Sequence, residues 1–519
     1  MPIRRAPRWR SGIAGSSYIA EGYGIAQLEY GVPITPSTIF HVASVSKEFT
    51  AFAVGLLAER GLVSWDDNIR KHIPEVPDFG IPITLRHLVH HISGMRDQWE
   101  LLAVAGWRLD DVITKDQILR LVSRQRELNF APGEEYLYCN TGFTLLAEVV
   151  ARVTGRSFRE WTQQEIFDPL GMSSTHFHDD HEMIVPNRAY SYSGNREAGF
   201  KKRVLSYANA GATSLFTTVE DMMNWARNFQ DTRLGSSKLQ RSMRTSARLN
   251  SGREIGYGMG LSIGSYRGRR TLGHGGADAG FRSQFLLFPK NDFAVMVMSN
   301  LASFNGGRLA RQITDIYLAG ELDPVQSDGE ALFEPIPLPD STRQALAGSY
   351  LAPDGRLITL EIDGTDLHAR PIGQPPFPLQ ARDGKTLVNR ERRLEFQFEV
   401  NGPQVKSLEV VQGGGSPVTA DRVTLMELTP AKVSELSGLY YSPELDTSYR
   451  IMGDADGLWA IHQRHPPIPL KAGASDQLFG DRWYFGQVRL ERDEAGELSG
   501  FRLQGGRVRN LRFERRSKD

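Results

Sequence analysis

Ser44-Val45-Ser46-Lys47, followed by the apolar run Phe49-Thr-Ala-Phe-Ala-Val-Gly-Leu-Leu57, decides how this 519-residue chain is read. A serine hydroxyl is a weak nucleophile until a neighbouring group takes its proton. Residues three apart share a helix face and adjacent ones do not, so Lys47 can reach Ser44 but not Ser46. The apolar run predicts a helix that Gly61 stops. The motif then lies at a helix N-terminus, where unsatisfied N–H groups and the positive dipole end favour an alkoxide and disfavour a charged lysine. The same four residues also fit a serine N-cap beside an exposed lysine, so the rest of the chain has to decide.

Composition narrows the function classes. Lys plus Arg (61) equals Asp plus Glu (61), and the basic residues are scattered apart from a short cluster at 4–10, so there is no electrostatic footprint for nucleic acid. A small molecule or short peptide is the expected partner, and a homodimer stays open. Cys139 is the only cysteine, which excludes an internal disulfide. No apolar run is long enough to span a bilayer. Residues 1–17 are basic and then small and polar, without the apolar stretch of a secretory signal. The expected location is cytoplasmic, or periplasmic if the true start lies upstream.

The length calls for two or three domains. The first, 1–325, mixes strand-like runs at 18–28, 257–263 and 281–299 with helical runs after Ser44 and at 115–124, 143–154 and 309–318. Strands at both ends with helices between predict an α+β domain with one sheet built from its two termini. Residues 323–340, rich in Pro, Asp and Glu, read as a linker. Beyond it lies an internal repeat: Leu346-Ala-Gly-Ser-Tyr350 is echoed by Leu436-Ser-Gly-Leu-Tyr440, and Pro375-Pro-Phe-Pro-Leu379 by Pro466-Pro-Ile-Pro-Leu470. Two echoes in register, in units of alternating strands and turns, predict two similar all-β, barrel-like domains at 326–429 and 430–519.

Two further segments carry chemistry. Tyr138-Cys-Asn140 follows the turn Ala131-Pro-Gly133 and precedes a helical run. A tyrosine serves as a base only when positive charge stabilises its phenolate, and an asparagine offers both a donor and an acceptor. In His274-Gly-Gly-Ala277 two glycines permit close backbone approach to a substrate. Each also fits plain packing or a turn. Together and in this order, with Phe40-His-Val-Ala-Ser44, Leu85-Arg-His-Leu-Val-His-His-Ile-Ser-Gly94, Pro132-Gly133 and Pro169-Leu-Gly-Met172, they make the chain resemble the penicillin-recognising serine hydrolases over 19–318. That group contains class C β-lactamases, D-alanyl-D-alanine carboxypeptidases, related esterases and D-aminopeptidases.

The resemblance implies a β-lactamase-like catalytic domain, with an antiparallel sheet flanked by helices. It makes Ser44 the acyl-accepting nucleophile and gives its proton to Lys47 and Tyr138, without saying which of the two is the base. Asn140 would hold Lys47 and the substrate. The N–H groups of Ser44 and Ala277 would form the oxyanion hole, and His274, Gly275 and Gly276 would line the wall beside it. No cofactor or metal is implied. Two departures stand out: histidine replaces the lysine that many of these enzymes place at the third motif, and residues 1–17 lack the usual first helix and strand. With three domains, the chain is most similar to the D-aminopeptidases. An esterase, a D-Ala-D-Ala carboxypeptidase, a weak β-lactamase and a non-catalytic ligand-binding homologue are the alternatives. His90-His91 reads as structural, and His176-Phe-His178-Asp-Asp-His181-Glu182, which has metal-ligand residue types, reads as a solvated loop.

Overall fold

The computed structural model describes residues 18–324, 333–372, 374–413, 415–454 and 457–516. The stretch 1–17 and part of the linker therefore lie outside the described residues. The chain forms two compact units. The first runs up to Met95 and takes in Leu109–Ser123 and Phe130–Val325, while the second takes in Arg96–Arg108, Arg124–Asn129 and everything from Gln326 on.

In the first unit a single 3-10 turn, Ala43–Val45, leads into helix α1, Ser46–Glu59. Gly61 ends it with φ 70°, a conformation costly for residues with a Cβ. Twelve consecutive residues of α1, Ser46 to Leu57, are buried, so this helix is core on every side. Phe49 lies on Trp225 with ring centroids 4.3 Å apart, and each such aromatic contributes about 1.5–3 kcal/mol by burial. Helix α2, Asn140–Thr154, starts three residues before the predicted run and ends at Gly155, φ 68°.

The main sheet is antiparallel, in the order β1 (Ser262–Tyr266), β2 (Arg269–Asp278), β3 (Phe281–Phe288) and β4 (Phe293–Ser299). Alternate residues of β3 and β4 are buried, as a sheet covered on one face requires. Helix α3, Gly306–Tyr317, shares a cluster with them through Ala310, Phe288, Val295 and Val297. Two expectations need correction. The run 18–28 yields only the strand Ile25–Gln27, which pairs with Val32–Pro33 and not with the main sheet. Of the run 257–263 only Ser262 and Ile263 are strand, as the start of β1, while 257–261 contributes a single bridge from Tyr257 to Ser262. Its glycines explain why: a Cβ on Gly258 would lie 2.2 Å from Met243 O and one on Gly260 2.5 Å from Lys47 O, so 257–261 is pressed against other backbone and stays out of the ladder.

The second unit holds two closed eight-stranded barrels, one from Gly348–Leu351 to Val418–Val423 and one from Gly438–Ser442 to Leu511–Arg516. The echoed sequence is one structural device used twice. A short helix, Asp340–Leu346 or Pro430–Leu436, precedes each first strand. The buried phenols of Tyr350 and Tyr440 donate to the carbonyls of Leu346 and Leu436, at 2.8 and 2.7 Å, satisfying helix-end acceptors. Thus the α+β unit followed by two β-barrels matches the expected fold class. Residues 96–108 and 124–129 belong to the C-terminal unit in space, which nothing in their sequence signals. Nη1 of the fully buried Arg96 donates to both oxygens of Glu444, at 2.7 and 2.6 Å, and Tyr449 donates to Val104 O at 3.0 Å. Among the described residues no helix is long and apolar enough to cross a membrane.

Candidate active site

Between His41 and Thr50 every residue is buried except Ser44, which is partly exposed. The turn before α1 brings it to the surface. Ala43 holds φ 50°, an uncommon conformation for a residue with a side chain, and Ser46 supports it by donating from Oγ to Ala43 O at 2.5 Å and accepting Leu215 N–H at 3.1 Å. The adjacent serines thus part company as the helix geometry predicts, Ser46 tying the turn inward and Ser44 facing out.

Lys47 is fully buried, and its Nζ donates to Ser44 Oγ at 3.2 Å, Asn140 Oδ1 at 2.8 Å and Ala212 O at 2.6 Å. Asn140 reaches it because it is the first residue of α2. The Tyr138 ring stands over the same ammonium, 4.8 Å from Nζ to the ring centroid. Below Tyr138 lies His91, with ring centroids 4.2 Å apart. His91 adopts φ 60° and takes the Cys139 N–H on Nδ1 at 3.0 Å, so it grips the backbone that carries Tyr138. Burial, with Lys47 and His274 adding repulsion, pushes the His91 imidazole well below its ordinary range and keeps it neutral.

The third wall is β2. Its partner β1 pairs only as far as Gly273, so from His274 onward that edge of the strand is released toward the Ser44 turn. A Cβ on Gly276 would come within 2.2 Å of Val42 O and of Ser283 Oγ, which only glycine avoids. Gly275 and Ala277 are exposed on the alternate face. His274 is buried, its ring 6.0 Å from that of Tyr138, and burial followed by the Lys47 charge lowers it to about 4. Burial also keeps the Tyr257 phenol protonated, so its O–H serves His274 Nε2 at 3.1 Å while Nδ1–H points to Gly275 O at 2.6 Å.

Ser44, Lys47, Tyr138, Asn140 and the 274–277 strand are therefore packed around one turn, as the sequence motifs propose. Residues 13–318, more than half of the chain, match the Beta-lactamase family. The chain belongs to that family. As a Beta-lactamase family member it is similar over most of its length to curated relatives. A D-aminopeptidase of Gluconobacter oxydans is 28% identical over 442 residues, 83% of this chain and 78% of the relative. A D-aminopeptidase of Brucella anthropi is 24% identical over 526 residues, 96% of this chain and 93% of the relative. The octameric penicillin-binding protein homologue of Pyrococcus abyssi shares the fold, with TM-score 0.54 and 22% identity over 77% of this chain and 92% of its own. These relationships make the protein a hydrolase with the Beta-lactamase fold.

Several groups of the site escape a reading of this family's motifs. Ala212 contributes a backbone carbonyl, to which residue type gives no clue. Tyr257 lies outside the three motifs. His91 reads as structural, and its part is to hold the backbone that carries Tyr138; its place in the Leu85 to Gly94 segment is the signal that points there. The 176–182 segment is corrected in the other direction. His176 and Phe177 pair with Leu215–Phe216, and His178 is buried against the Phe216 ring, so this part is not a solvated loop. Burial lowers His176 to about 4 and His178 to about 3, and no group of metal-ligating residues forms among the described residues.

Proposed function

We propose that the protein removes N-terminal D-amino acids from short peptides and amides through an acyl-enzyme on Ser44. The observation that carries this reading is the lone partial exposure of Ser44 with the Lys47 amine 3.2 Å from its hydroxyl. Ser44 Oγ attacks the carbonyl carbon and its proton passes to Lys47 or Tyr138. The carbonyl oxygen becomes an oxyanion facing the N–H groups of Ser44 and Ala277. The proton is returned to the leaving amine as the C–N bond breaks, and water then releases the acid. Asn140 fixes the lysine for these transfers. The choice of D-amino acids is supported by the two D-aminopeptidases that match 78% and 93% of their own length. A neutral His274 in place of a lysine suits a substrate without a carboxylate at that wall. Even charge supports a small molecule or short peptide as the partner.

Intact-mass spectrometry tests the reading with D-amino-acid amides, their L counterparts, D-Ala-D-Ala peptides, short-chain esters and penicillins. A D-aminoacyl mass should appear on the wild-type protein and on no Ser44→Ala protein, whereas Ser46→Ala should still acylate. Acylation by only esters or penicillins would replace the proposed substrate class, and a mass retained in Ser44→Ala would remove Ser44 as the nucleophile.

A further inference from the structure

An enzyme that takes one residue from an N-terminus must recognise a free ammonium close to the bond it cuts. In an α-aminoacyl group that nitrogen lies only ~2.5 Å from the carbonyl carbon under attack. The cation's place is therefore set by Ser44 and by Ala277, and an acid that serves it must lie beside them.

Asp278 is the next residue after Ala277, one strand step of about 3.4 Å away. By strand alternation its side chain shares a face with His274 and Gly276, the face whose missing Cβ would touch Val42 and Ala43 of the Ser44 turn. The side chain is 18% exposed. Tyr207 donates to Oδ1 at 3.0 Å, Thr213 donates to Oδ2 at 3.1 Å, and His41 Nε2 lies 3.2 Å from Oδ2. Thr213 follows Ala212, whose carbonyl takes the Lys47 ammonium, so one side of the carboxylate is moored next to a group of the site. A carboxylate offers about four acceptor positions, and three neighbours leave Oδ1 with one to spare. Among the described residues the only basic group within 4 Å of it is His41. Arg282, opposite Ala277 in the register, spends Nη1 on Phe281 O at 2.7 Å.

We infer that Asp278 binds the free α-ammonium of the residue being removed, an inference that rests on the proposed aminopeptidase activity. Tyr207, Thr213 and His41 hold the carboxylate in place and leave one oxygen for the substrate. The site thereby selects N-terminal residues over acylated or des-amino ones by a charge-assisted hydrogen bond.

The test compares D-alanine p-nitroanilide with propionyl p-nitroanilide, which lacks only the amine, on wild type and Asp278→Asn. The wild-type protein should prefer the amine, and the variant should lose at least tenfold in kcat/KM on the D-alanine substrate, mainly through KM, while its propionyl activity and its labelling of Ser44 by a fluorophosphonate stay within threefold. On wild type alone, the preference should fall at least fivefold as pH passes the ammonium pKa of about 8. That measurement keeps the inference falsifiable if Asp278→Asn does not fold, since a preference flat across that pH overturns it. Equal losses on both anilides, or a preference that survives in Asp278→Asn, overturn this inference and leave the aminopeptidase reading standing. A wild-type protein that cleaves both anilides equally overturns the two together.

Discussion

Lys47 in the catalytic unit and Arg96 in the C-terminal unit are both withdrawn completely from water, yet the oxygens around them differ in kind. Lys47 is held by a hydroxyl, an amide and a main-chain carbonyl. Arg96 meets the carboxylate of Glu444, itself almost buried, and spends Nε and Nη2 on the carbonyl of Arg509. A guanidinium keeps its charge in any protein, and a facing carboxylate fixes it further. Neutral acceptors favour the charged form of a cation less strongly than a carboxylate does. The buried guanidinium is thus one half of an ion pair, whereas under the proposed mechanism the buried amine handles a proton.

The largest effect comes from forcing the first cation to behave like the second. Lys47→Arg places a group that cannot deprotonate beside Ser44, and acylation of a D-amino-acid amide should fall roughly 10²- to 10⁴-fold. Pre-steady-state acylation rates check this, and near-normal turnover would mean that Lys47 does not handle the proton. Removing the carboxylate from the second cation gives an effect on stability. Glu444→Ala removes the nearer of two carboxylates from the buried guanidinium, leaving Glu127 Oε2 3.5 Å from Nη2, and should cost about 1.5–3 kcal/mol in denaturant unfolding of the C-terminal unit. A loss below about 0.5 kcal/mol would show that Arg96 is served well enough by Glu127 and the carbonyls.

The smallest effect sharpens the contrast within one segment. Glu100, four residues from Arg96, accepts the Arg507 N–H at 2.6 Å. Burial raises its carboxyl from 4.5 to about 8. The folded chain therefore keeps a proton that the unfolded chain gives up above pH 4.5, so the stabilising contribution is full below that pH and is lost as pH rises through about 8. Unfolding midpoints should decline from about pH 5 to about pH 9 in wild type and decline less in Glu100→Gln. Parallel slopes would show that Glu100 is ionised in the fold.

What was legible in the sequence follows from where each signal is written. Ser44 and Lys47 could be paired, and Ser46 dismissed, because a three-residue spacing fixes a helix face. The barrels could be counted because Tyr350 and Tyr440 recur at the same place after Leu346 and Leu436. Asn140 and His274 needed the order of motifs as well. Ala212 was illegible because it acts through a carbonyl common to every residue. Asp278 was equally so, because its value lies in Thr213 and Tyr207, brought to it from 65 and 71 positions away. The 257–263 run misled because apolar residues between glycines look like a strand, whereas those glycines serve close backbone contact. Residues 96–108 gave no hint of their unit, since Arg96 is matched by Glu444, 348 positions away.

The strand order of the two barrels bears on how such a chain is made. In each, every strand pairs with its immediate successor and the last returns to the first, so closure draws on no strand from elsewhere. As synthesis proceeds from the N-terminus, Val423 completes the first barrel before Gly438 opens the second. Tandem copies of one design invite exchange of strands between neighbours while both are incomplete. Here all eight strands of the earlier copy are synthesised before the first strand of its twin, so it can close without waiting for any of them and then has no edge to offer.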